Sequence, residues 1–154
     1  MHGYQHTAVN LAALVPAAGI LYLVGRPDPA AALAAGVVFG TLFVTPDLDL
    51  ALNDARRRWG PLRFIWAPYA ALSRHRGISH TYLAGPVIRL AYLCAWLLPL
   101  LVLTRAMHVA LPAPDSRLSA IALLGYFAAQ WLHLLCDDIL PFDSGQRGAA
   151  RRRR

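Results

Sequence analysis

Four long apolar stretches, separated by short polar breaks, leave this chain few folds to choose from. They run from Thr7 to Val24, from about Ala30 to Val44, from Thr81 to Thr104 and from Leu118 to Cys136. A helix needs about 20 apolar residues to cross a bilayer, and about 17 is a practical minimum. The first, third and fourth stretches meet that length. The second is short, and needs Thr45 and Pro46 or a locally thinned bilayer to complete a crossing. The third must bury or snorkel Arg89. A soluble bundle of very apolar helices is the alternative. A composition that is 57% hydrophobic favours the membrane reading.

The breaks suggest two helical hairpins. Gly25-Arg26-Pro27-Asp28-Pro29 reads as a turn, with Asp28 as N-cap and Pro29 at the first helical position. Pro112-Ala113-Pro114-Asp115-Ser116 repeats the device before the fourth stretch. Between the hairpins, from Leu50 to Arg76, six arginines interleave with Trp59, Phe64, Trp66 and Tyr69. That mixture suits an amphipathic segment at a membrane interface, with aromatics in the headgroup layer and arginines toward anionic lipid. The expected fold is therefore all-α: a polytopic membrane protein of about four transmembrane helices in two hairpins, with an interfacial amphipathic segment between them. Residues 1–146 make one domain and 147–154 a basic tail that anchors to lipid.

Charge fixes an orientation. The middle region and the C-terminal tail hold eleven arginines, and the two short turns hold three, Arg26, Arg105 and Arg117. The positive-inside rule then places the middle region and both termini in the cytoplasm, for a multi-pass protein of the inner (plasma) membrane. The arginines flank apolar runs instead of forming a stripe on a soluble helix, so the net charge of +7 does not point to nucleic acid. Cys94 and Cys136 lie within or at the end of apolar stretches, which argues against a disulfide framework. The segment Met1 to His6 lacks the basic region of a signal peptide.

With that topology, four polar signatures fall on the same side of the bilayer. His6 precedes the first helix, and Asp47 and Asp49 of Pro46-Asp47-Leu48-Asp49 follow the second. His75 and His80 of His75-Arg76-Gly77-Ile78-Ser79-His80 precede the third, and His133 and Asp137 end the fourth. Imidazoles and carboxylates are ligands of zinc, manganese and iron. His133 and Asp137, four apart, share a helical face. Pro46 favours an extended geometry, in which Asp47 and Asp49 point the same way. A turn at Gly77 brings His75 and His80 together, with Ser79 or Thr81 capping the next helix. His2, Cys136 and Asp138 are alternatives for individual ligands, and His108 is ordinary.

Taken together, Pro46-Asp47-Leu48-Asp49, His75-Arg76-Gly77-Ile78-Ser79-His80-Thr81 and His133…Asp137 after an early His6 resemble the YdjM-like family of membrane-bound predicted metal-dependent hydrolases. The stretch from Arg58 to Tyr69 is similar to a related group described only as uncharacterised metal-binding proteins. The resemblance covers roughly residues 6 to 143. It implies a helical integral-membrane protein with a His/Asp metal site and a predicted hydrolase activity. Two departures stand out: Leu50 replaces a histidine common after the PDxD string, and Leu140-Pro141-Phe142-Asp143-Ser144-Gly145 matches a Thr-Pro-x-Gly-like segment only loosely.

The seven candidates exceed the three or four protein ligands of one catalytic zinc. They are expected to hold one or two divalent ions, zinc first, with manganese or iron as alternatives. A bound cation lowers the pKa of water for attack on a phosphoester or similar bond. One of Asp47 and Asp49 is then a ligand and the other a general base, with Asp49 the one assigned to catalysis. Arg76 steadies negative charge in the transition state or contacts lipid phosphate. An amphiphilic substrate such as a phospholipid fits a site at the headgroup layer, and a homo-oligomer is compatible with the sequence. The rival reading is a metal-binding membrane protein without hydrolysis. A transporter would carry more ionisable groups through mid-membrane than Arg89 alone.

Overall fold

The computed structural model describes residues 3–50, 53–73 and 77–141. Helix α1 (Gly3–Leu23) is followed by α2 (Pro27–Leu42) and a 3-10 turn at Pro46–Asp49. Short helices α3 (Asp54–Arg58) and α4 (Trp66–Leu72) flank a second 3-10 turn, Gly60–Ile65. A third turn at Ile78–His80 leads into α5 (Ala84–Ala106) and then α6 (Ser116–Cys136). No strand occurs among the described residues. Among the described residues, four segments are long and apolar enough to cross a membrane: Tyr4–Leu23, Pro27–Asp49, Ala84–Ala106 and Ser116–Cys136. The second reaches that length because the apolar run continues past α2 into the Pro46–Asp49 turn.

Local chemistry sets the helix ends, with some differences from the expected boundaries. α2 starts at Pro27, not Pro29, so Arg26 is the N-cap and Asp28 lies in the first turn, where its charge meets the helix dipole. Asp115 does cap α6, its side chain accepting from the Leu118 amide at 2.8 Å. Ser79 does not cap α5. That duty falls to Thr81, whose Oγ1 accepts from the Gly85 amide at 2.8 Å. α1 begins at Gly3, which puts His6 inside its first turns.

The helices pack unequally. α2 lies along α6 over most of its length, with α1 against both. The approach is close: a Cβ on Gly36 would collide with the Ala122 carbonyl, and one on Gly125 with that of Leu33. Small residues that let backbones touch are the usual means of helix association in lipid. α5 joins the bundle only near its start, where Gly85, Pro86, Arg89 and Leu93 are buried, and residues 94–103 are exposed. Val15, Ile20 and Leu23 of α1 and Leu123 and Leu124 of α6 are exposed as well. So large an exposed apolar surface marks a face that a partner or a lipid phase would cover.

The region between the hairpins is a folded cap as well as an amphipathic segment. Leu62, Phe64 and Leu72 are exposed, as are Arg57 and Arg58. Trp66 and Tyr69, expected in the headgroup layer, are instead buried, packed with Tyr92, Val44 and Leu48. The cap covers the open end of α2: Trp59 Nε1 donates to the Phe43 carbonyl at 2.9 Å and Arg58 to the Leu42 carbonyl at 3.2 Å. Carbonyls left over at a helix end need such donors. The result holds the Pro46–Asp49 turn at one end of the bundle.

Candidate metal centre

Five of the seven proposed ligands meet at that end. α1 contributes His6, the turn after α2 contributes Asp47, the turn before α5 contributes His80, and the end of α6 contributes His133 and Asp137. His6 Nε2 lies 3.4 Å from Asp137 Oδ1, and His133 Nε2 lies 3.5 Å from Asp137 Oδ2. On the other side, His133 Nε2 is 3.6 Å from Asp47 Oδ2 and His80 Nε2 is 3.7 Å from Asp47 Oδ1. His6 and His133 stack with centroids 4.0 Å apart. His6, His80 and His133 are each at most 4% exposed.

The spacing discriminates between two kinds of contact. Hydrogen bonds between nitrogen and oxygen fall at about 2.7–3.2 Å. Two donors about 2.1 Å from one cation, at the tetrahedral angle, stand about 3.4 Å apart. The observed separations match the second figure better than the first. His133 Nε2 is buried without a hydrogen-bond partner among the described residues, as is Nδ1 of His6. Buried polar atoms are seldom left so. The donor set of three imidazoles and two carboxylates suits zinc, manganese or iron.

Asp49 takes a different position from the one expected. The Pro46–Asp49 segment is a 3-10 turn, not an extended strand, so Asp47 and Asp49 do not point the same way. They face the two nitrogens of one ring. Asp47 approaches His80 Nε2, and Asp49 Oδ2 lies 3.5 Å from His80 Nδ1. Ser79 Oγ donates to the same Asp49 oxygen at 2.6 Å. Asp49 belongs to neither three-ligand group and does not line the adjoining cavity. Burial lowers the proton affinity of His80, but hydrogen bonding to Asp47 and Asp49 and their charge outweigh it, so its pKa is raised. His75 and Arg76 lie outside the described residues, as do His2 and the 147–154 tail. Asp138 is exposed in the left-handed conformation that ends α6, and Cys136 belongs to neither ligand group.

A polar network backs the site and was not foreseen. Arg89, wholly buried, donates to the Ser79 carbonyl at 2.7 Å and to Gln130 Oε1 at 2.8 Å. Gln130 Nε2 in turn donates to the carbonyls of Gly40 and Val44. Asn10 Nδ2 donates to Thr41 Oγ1 and the Ala129 carbonyl, both at 3.1 Å. The sequence does carry a signal for two of them. Asn10 lies four residues after His6 and Gln130 three before His133, each inside an apolar stretch and on the ligand's own helical face. A cavity of about 260 Å³ opens beside the cluster, walled in part by His6, Asn10, Thr41, Asp47 and His133, with Asn53 and Arg58 also lining it.

The chain belongs to a family of uncharacterized metal-binding proteins, DUF2227, whose model matches residues 1–144. An uncharacterized protein of Aquifex aeolicus is 45% identical over 58 residues, which covers 38% of this chain and 41% of that relative. The chain therefore spans under half the length of that relative. No solved structure matches it.

Proposed function

We propose that the protein is a metal-dependent hydrolase of the membrane surface, holding one divalent cation among His6, Asp47, His80, His133 and Asp137. The carrying observation is the set of 3.4–3.7 Å separations between three buried imidazoles and the partly buried carboxylates of Asp47 and Asp137. One ion is favoured over two on two grounds. His133 offers the same nitrogen to both three-ligand groups, and one imidazole nitrogen serves one cation. Charge also balances: the carboxylates of Asp47, Asp49 and Asp137 against one divalent ion and Arg89 leave no net charge in a site that is buried apart from Asp47. Zinc is the first choice, with manganese and iron as alternatives.

A bound cation supplies Lewis acidity and a water of lowered pKa. Asp49 and Ser79 hold the His80 ring so that Nδ1 keeps its proton and Nε2 faces Asp47, the outer support that metal-binding histidines usually have. Asp49 is thus a positioning residue and not the general base. Asp47 faces the cavity, on the side from which a phosphoester or lipid-like substrate would enter. The resemblance to YdjM-like membrane hydrolases supports this chemistry, and the count of arginines favours a cytoplasmic orientation of the site end.

The second reading is a cation that only clasps the four chain segments together, favoured by the fact that each ligand-bearing element is separate in sequence. Turnover separates the two. The purified protein, loaded with zinc or manganese, is offered phosphoesters and phospholipids beside a His133→Ala variant. Metal-dependent product above the variant's background is expected. A protein that binds metal but gives no such product would be a clasp and not a hydrolase.

A further inference from the structure

We infer that the cavity beside the metal group is a headgroup pocket for a phosphoester that carries a hydrogen-bond donor, with Arg58 holding the phosphate and Asn10 accepting from the head. The inference rests on the proposed metal site and names its substrate class. The volume of about 260 Å³ lies just below the usual range for drug-sized ligands, so it admits a small polar head but not an acyl body.

Asn10 is the most specific element. It is 2% exposed and lines the cavity. Both of its amide hydrogens are committed, one to Thr41 Oγ1 and one to the Ala129 carbonyl. The Ala129 carbonyl can only accept, which fixes the nitrogen on that side. Oδ1 is left buried without a partner among the described residues. An acceptor stranded in this way costs free energy until a donor reaches it. A hydroxyl or amine on the bound head would supply that donor.

Arg58 provides the complementary charge. It lines the same cavity, is exposed, and spends one N–H on the Leu42 carbonyl, the one hydrogen bond it makes among the described residues. A guanidinium suits a phosphate oxygen pair better than any other side chain. The proposed cation ligands Asp47 and His133 line the same cavity, so a phosphate there would meet both Arg58 and the bound cation, with Asp54 the one other carboxylate among the described lining residues. A free phosphoester and a lipid headgroup share this chemistry.

The test uses the full chain in detergent, loaded with zinc. Binding of glycerol phosphate is compared with propyl phosphate, which lacks the hydroxyls, by calorimetry. Phosphatidylglycerol vesicles in a parallel arm tell a lipid source from a soluble one. Glycerol phosphate should bind about tenfold tighter than propyl phosphate, and Asn10→Leu should erase that preference. Arg58→Gln should weaken both phosphates about tenfold or more, with Arg58→Lys recovering part of the loss and metal content unchanged. Equal binding of the two phosphates, or full phosphate binding by a metal-loaded Arg58→Gln protein, would overturn the inference. Loss of metal in the parent protein would instead defeat the reading on which it rests.

Discussion

His6 and His133, 127 positions apart in the chain, stack face to face with their ring planes 17° apart, and both present Nε2 to the carboxylate of Asp137. Protonating both rings would set two positive charges against each other at a centroid separation of 4.0 Å. A cation between the rings and Asp137 would be held by the neutral imidazoles. His6→Ala should lower zinc affinity about tenfold or more and leave the helix content unchanged, as read by chelator competition and circular dichroism. Unaltered affinity would remove His6 from the ligand set.

Ser79 touches no proposed ligand atom that faces the cation, yet its hydroxyl holds Asp49 against His80. Ser79→Ala should cost about 10- to 100-fold in metal affinity while the thermal midpoint stays near that of the parent. A variant that binds metal as well as the parent would show that His80 needs no such support.

Arg89 is buried in α5, a helix long and apolar enough to cross a membrane, and its partners are the carbonyl of Ser79 and the amide oxygen of Gln130. Arg89→Met removes the donors to Ser79 and Gln130 and releases the turn carrying His80. A destabilisation of about 3 kcal/mol is expected, together with lost metal binding. Arg89→Lys should restore little, because an ammonium cannot span both acceptors. Unfolding in detergent mixtures with and without zinc measures both effects.

Where α2 and α6 touch, Gly36 has no room for a side chain against the Ala122 backbone. Gly36→Val should destabilise the fold by about 1–3 kcal/mol and lower metal content as the ends of the two helices move apart. The same change at Gly19, which has open space around it, should be nearly silent.

His80 gives a pH dependence whose sign follows from its raised pKa. Without metal, the protonated ring stabilises the fold at low pH, and this contribution fades as pH rises through the raised value. A cation must displace that proton, so metal affinity should rise with pH over the same interval. Zinc titrations between pH 6 and 8 with flat affinity would contradict this.

Most of the architecture was legible because hydropathy is a one-dimensional signal. The four apolar stretches became α1, α2 with its turn, α5 and α6, and the alternation of direction placed His6, Asp47, His80, His133 and Asp137 at one end. The pairing of His133 with Asp137 followed from helical spacing alone. What could not be read was geometry that depends on a partner. Asp49 needed the 3-10 turn to be visible before its place behind His80 was evident. Trp66 looked like an interfacial anchor until Tyr69 and Tyr92 were seen to enclose it. Arg89 read as a residue to be buried or snorkelled; it is buried, and only the folded chain reveals that its partners are Ser79 and Gln130, behind the site.

Metal content per chain tests the central claim most directly. The protein is purified without added chelator, its zinc, manganese and iron are quantified by elemental analysis, and His133→Ala is measured beside it. About one divalent ion per parent chain and close to none in the variant is the predicted result. Two ions per chain, or equal metal in parent and variant, would contradict a single centre built around His133.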